Sequence, residues 1–175
     1  VNKTTIRTYT GREFDFMRPR PESFTLLDCA VALGREPRFN GHTIRTIVVA
    51  EHSLLVLDLV MDRYPDRPDL HRCALMHDGP EAFAKDLPKP LKGLCGDYET
   101  VEDRIWREAF VPKWELPSVM PVEIKEMDRL ALRVEQSECS ATEPWAATFP
   151  GPDRIASHVW IRRFYDKAIE LGFTE

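Results

Sequence analysis

His77 and Asp78 stand side by side in CALMHDGPEAF, with Glu81 four residues after the histidine and mostly apolar residues around them. Ionisable groups set into an apolar helix are costly unless they meet a partner or a metal. Read as helix, the segment places Glu81 one turn on from His77, while the adjacent imidazole and carboxylate can converge on one ion lying along the helix flank. His52 in VVAEHSLLV is a second polar intrusion, with Glu51 beside it, and Asp128 in EMDRLALRVE is a third. Two imidazoles and two carboxylates from three separate helices suit a divalent transition ion (Mn, Fe, Co, Ni or Zn) better than Ca. Such a set also leaves positions open for water and substrate, the mark of a catalytic rather than a structural site. Each residue has an ordinary alternative: a surface pair for His77-Asp78, a hydrogen-bonded core histidine for His52, an ion pair with Arg129 or Arg133 for Asp128.

The elements that must position these groups are mostly helices. β-branched and aromatic residues around Gly11 in the first twenty residues predict a short strand or hairpin. From Ser23 a helical pattern runs through Leu26, Leu27, Ala30 and Leu33, with Gly34 where a C-cap would sit. EPRFNGHT, Glu36 to Thr43, reads as an ordered loop. A second helix, from near Ala50 to Tyr64, is apolar almost all round and should be central. The third, Asp69 to about Ala84, should be interrupted or kinked near Gly79-Pro80. Two prolines make DLPKPLK, Asp86 to Lys92, a stiff loop. A fourth helix is predicted over Asp97 to Phe110, a fifth from after Pro121 to about Cys139, and a sixth over Ile155 to Leu171. The expected fold is all-α, a single helical bundle over residues 1–175 with a short N-terminal β element.

Composition narrows the function. The chain has 175 residues, with 29 acidic and 24 basic side chains and a formal net charge of −5. No long basic run is present, so extended nucleic acid is disfavoured as a partner. The longest apolar stretch, Leu54 to Met61, is broken by Asp58 and falls short of the roughly 18–20 residues that a membrane helix needs. Cys29, Cys73, Cys95 and Cys139 are widely spaced, with no CxxC pair, and read as buried thiols, although an even count also allows two disulfides. With nothing resembling a signal peptide, the expected location is cytoplasmic, with no membrane partner.

The order AEHS, MHDGPEA, KDLPKPLK and a later MD on a helix resembles the HD-domain phosphohydrolases, and within them the bacterial 5′-deoxynucleotidase branch. The resemblance covers roughly Thr10 to Arg133, since TGREFDF and PRFNGHT also look like compact members of that branch. It implies an HD-type phosphohydrolase domain with a metal set at His52, His77, Asp78 and Asp128. Glu81 matches the acid that activates or orients the attacking water, and Asp86 the carboxylate that contacts the sugar 3′-hydroxyl. Arg38 and Phe39 match an Arg-Trp pair that meets phosphate and base, with Phe in place of Trp. Members of the branch are homo-oligomers, and the same is expected here.

The residues themselves agree with that chemistry. Lys89 and Lys92 on a proline-stiffened loop can receive phosphate oxygens as point charges, or simply be solvated. His42 can touch phosphate or donate a proton to the leaving oxygen, or serve a structural role. The expected activity is hydrolysis of a 2′-deoxynucleoside 5′-monophosphate by a metal-activated water. The alternatives are a deoxynucleoside triphosphate triphosphohydrolase, kept open by Arg35, Arg45, Lys85 and Lys89, and a non-catalytic module that binds a nucleotide or a protein partner.

Overall fold

A computed structural model of the chain describes residues 4–136 and 156–175. β1 (Thr5–Arg7) pairs antiparallel with β2 (Glu13–Asp15), Ile6 opposite Phe14, across a turn in which Gly11 takes φ +87°. The hairpin is tied to α1 (Leu26–Leu33) through the buried Asp28, which accepts hydrogen bonds from the Thr10 N–H and hydroxyl at 2.7 and 2.9 Å. Asp28 also completes a capping box with Thr25, so the helix starts at Leu26 rather than at Ser23. Gly34 follows the helix as expected, but with right-handed φ/ψ. A Cβ there would lie 2.4 Å from Cγ1 of Ile161, so this glycine answers a close helix contact rather than a left-handed cap.

After a 3-10 turn at Arg38–Gly41 the chain enters α2 (Val49–Arg63). Its buried residues Val49, Ala50, His52, Ser53, Val56, Leu57 and Val60 follow helical spacing. α3 (Pro68–Met76) packs on α2 and ends where Pro80 has no N–H to return to the Met76 carbonyl; Gly79 donates to it instead, at 2.8 Å. His77 and Asp78 therefore occupy the turn between α3 and α4 (Glu81–Ala84), not the interior of a helix. The loop expected at DLPKPLK contains one helical turn, α5 (Lys89–Lys92), because Pro90 falls in its first turn, where no N–H is required.

α6 (Tyr98–Ile105) runs through a π turn (Trp106–Phe110) into α7 (Val111–Trp114), beyond the predicted end at Phe110. Pro112 is tolerated there because it lies in the first turn of α7. α8 (Val122–Gln136) and α9 (Ser157–Glu170) complete the described elements; Cys139 and Ile155, expected at helix ends, lie outside the described residues. α2 sits in the middle, against α1, α3, α8 and α9, as its apolar character predicts.

One hydrophobic cluster runs from Phe14 to Phe173, with Phe14 stacked on Phe83 at 4.0 Å and Phe24 linking Phe83, Phe110 and Trp114. The protein is mostly helical with a short N-terminal hairpin. Among the described residues no helix is long and apolar enough to cross a membrane, and Cys29, Cys73 and Cys95 are free thiols, the first two buried.

Candidate metal centre

Three elements bring the predicted ligands together. His52 comes from the buried face of α2, His77 and Asp78 from the turn after α3, and Asp128 from α8. One ligand atom each from His52, His77 and Asp128 lies within 4.8 Å of the others, so this group could hold a metal ion. Asp78 borders it: its Oδ2 is 3.2 Å from His77 Nε2 and 3.4 Å from His52 Nε2, while Asp128 Oδ1 is 3.1 Å from His52 Nε2.

The histidines are oriented for this. His77 Nδ1 lies 2.7 Å from the Ala74 carbonyl, and His52 Nδ1 lies 2.9 Å from Glu135 Oε1. Both partners only accept, so each Nδ1 carries a proton and each ring turns its Nε2 toward the carboxylates. Both Nε2 atoms are buried and make no hydrogen bond. Buried imidazole nitrogens that face carboxylates without a well-directed hydrogen bond form an arrangement that a divalent cation would complete.

Charge points the same way. Asp78, Glu81, Asp86, Glu102, Asp128 and Glu135 crowd around the site against the fixed cations Arg38 and Lys92. Burial alone would depress the His52 imidazole, but Asp128, Glu135 and Asp78 outweigh it and lift it to about 9. Burial raises the Asp78 carboxyl, and His77, His52 and Arg38 overcome that and hold it low. Asp128 is likewise held low by His52 and His77 against its burial. Glu81 is pushed up to about 10, first by burial and then by Asp78 and Asp86, although Lys92 and Arg38 pull the other way. A cation among the ligands would draw Glu81 back toward its ionised form.

The remaining predicted residues divide. Arg38 is buried at the site, its Nη1 3.6 Å from Asp78 Oδ2 and 3.8 Å from Asp86 Oδ2, with the Phe39 ring 5.5 Å beneath the guanidinium. Phe39 and Asn40 reach this pose with φ of 54° and 52°, unusual for residues with a side chain. Glu81 is buried, one oxygen 3.3 Å from Lys92 Nζ and the other unpartnered. His42 and Lys89 are exposed and make no hydrogen bond or ion pair with the cluster. Lys92, not Lys89, reaches inward and bridges Glu81 and Glu102.

Glu135 and Glu102 are absent from the sequence-based set. Glu135 had a readable signal, since it lies seven residues after Asp128 and so on the same helix face. A cleft of about 330 Å³ opens from His77, Asp78 and Glu81, walled by Trp106 and Met120, with Lys92, Arg107 and Lys125 along it.

No family model matches the chain. It is 34% identical over 134 residues to the uncharacterized protein YfdR of Escherichia coli, an alignment covering 76% of this chain and 71% of that protein. Over 140 residues it is 33% identical to the uncharacterized protein RCAP_rcc00048 of Rhodobacter capsulatus, covering 75% and 71%. The chain belongs to the family that contains these two bacterial proteins.

Proposed function

We propose that the protein is a metal-dependent phosphohydrolase of the HD-domain class that removes the 5′-phosphate from 2′-deoxynucleoside monophosphates. The observation that carries the reading is the convergence of the buried Nε2 atoms of His52 and His77 on the carboxylates of Asp78 and Asp128, at 3.1–3.4 Å. These four residues would hold a divalent transition ion. The chemistry such an ion supplies when bound is a lowered water pKa and neutralised charge on a phosphoryl oxygen.

The chain's own residues supply the rest. Arg38 offers a guanidinium at the edge of the cluster and would take a phosphate oxygen. Glu81 has one oxygen tethered near Lys92 and one free, so it can orient the attacking water and accept its proton. Water oxygen bonds to phosphorus, the P–O5′ bond breaks, and the leaving 5′-oxygen takes up the proton that Glu81 accepted, giving nucleoside and inorganic phosphate. Asp86, beside Arg38, would meet the sugar hydroxyl, and Phe39 the base.

A second reading, triphosphohydrolase action on deoxynucleoside triphosphates, is favoured by the cations along the cleft, Lys92, Arg107 and Lys125. Phosphate release from deoxynucleoside mono-, di- and triphosphates separates the two, using protein stripped with EDTA and reloaded with Mn, Co, Ni or Zn. Direct release from monophosphates is expected. Phosphate seen only with triphosphates, after an added polyphosphatase, selects the second reading, and no release from any nucleotude class overturns both. E81Q should keep its metal while turnover falls by about 10²–10⁴.

A further inference from the structure

Glu135 meets His52 at Nδ1, the nitrogen opposite the one that faces Asp78 and Asp128; it is almost fully buried, at 4% exposure, and both of its carboxylate oxygens are in use. Oε1 accepts from His52 Nδ1–H at 2.9 Å, and Oε2 accepts from Arg38 Nε–H at 3.1 Å. The two groups it holds have different tasks in the proposed reaction. His52 turns its opposite nitrogen toward the cation position, and Arg38 turns its Nη1 toward Asp78 and Asp86. Asp78 Oδ2 closes the circuit, 3.4 Å from His52 Nε2 and 3.6 Å from Arg38 Nη1.

A buried carboxylate is costly unless its oxygens are satisfied by charged or strongly donating groups. Here the imidazole Nδ1–H and the edge-on guanidinium each meet one carboxylate oxygen, so one side chain favours a tautomer and a fork orientation together. The carboxylate also raises the basicity of the opposite ring nitrogen. Asp128, Ala131 and Glu135 share one face of α8, so the same helix delivers a ligand and the group that orients another ligand.

We propose that Glu135 is a positioning residue that sets His52 for the metal and Arg38 for the phosphate at once, making the metal and anion sites one unit. The assignment rests on the phosphohydrolase reading. It is tested by Mn(II) affinity from equilibrium dialysis, and by inorganic phosphate affinity at saturating Mn(II), in the full chain. E135Q keeps a single neutral acceptor, which can serve His52 or Arg38 but not both, and turns an amide N–H₂ to the other donor. It should weaken Mn(II) by roughly 10–100-fold and, with Mn(II) saturating, weaken phosphate by roughly tenfold or more.

R38K is the companion variant, for it keeps the charge and loses the Nε–H fork. It should weaken phosphate by roughly tenfold or more and Mn(II) by less than E135Q does. Wild-type affinity of E135Q for both probes, or loss of only one of them, overturns the dual role, as does wild-type phosphate affinity in R38K. A wild-type protein that binds neither probe instead overturns the phosphohydrolase reading, and this assignment falls with it.

Discussion

At His52 the structure places a buried imidazole among three carboxylates, which favours a positive charge at Nε2. Without a metal that charge is a proton, held up to about 9 because Asp128, Glu135 and Asp78 outweigh burial. The folded value is raised above the ordinary 6.5, so the proton's stabilising contribution is complete below about pH 6.5 and is lost as pH rises through about 9. A cation needs the lone pair and must displace the proton, so metal affinity runs the opposite way and climbs across that window. Mn(II) affinity measured between about pH 6.5 and about pH 8.5 should tighten by roughly tenfold per unit. A flat profile would remove His52 from the ligand set. The cluster's residues were legible because a polar group in an apolar run needs a reason. Glu135 was not, because RVEQ reads as an ordinary polar helix end, and only its spacing from Asp128 marks it. The two lysines of DLPKPLK look alike in sequence; only the helical turn of α5 points Lys92 inward and leaves Lys89 exposed.

Among the elements, two glycines mark where helices approach too closely for a side chain. A Cβ on Gly79 would lie 2.3 Å from Cε1 of Phe110, and one on Gly34 would lie 2.4 Å from Cγ1 of Ile161. Neither has positive φ, so both are sites of crowding rather than of backbone strain. G79A and G34A should each lower stability by about 1–3 kcal/mol, the usual cost of overpacking. They differ in reach: Gly79 adjoins His77 and Asp78, so G79A should also weaken Mn(II), whereas G34A disturbs the contact of α1 with α9 and should leave Mn(II) affinity near wild type. Denaturation curves with parallel metal titrations check this, and equal metal affinity in both variants would show that the turn does not depend on Phe110. The helices were predictable from apolar spacing. Their interruptions were harder, because Gly79-Pro80 reads equally as a kink or a full break, and Pro112 as an end to the helix. Only packing against Phe110 and Trp114 shows that the π turn carries the chain on.

For the whole molecule, the net charge of −5 argues against a polyanion but not against a small anion, because part of the acidity is gathered where a cation would reverse its sign. The same gathering couples the site to the fold. His52 comes from the central helix α2, Asp128 from α8, and His77 with Asp78 from the turn between α3 and α4, so a shared ion would bridge elements that unfolding separates. An unfolded chain offers no such arrangement, so the binding free energy adds to stability. At a hundredfold excess over Kd the gain is about 2.7 kcal/mol. For a chain of this size each kcal/mol moves Tm by roughly 2–4 °C, so a suitable ion should raise Tm by roughly 5–11 °C over the EDTA-treated protein. D128N removes one ligand and should lose most of that shift, though it leaves the other elements intact. Identical melting in EDTA and in each of Mn, Co, Ni and Zn would mean that the three elements converge without an ion, and that the Nε2 atoms of His52 and His77 face these carboxylates for another reason.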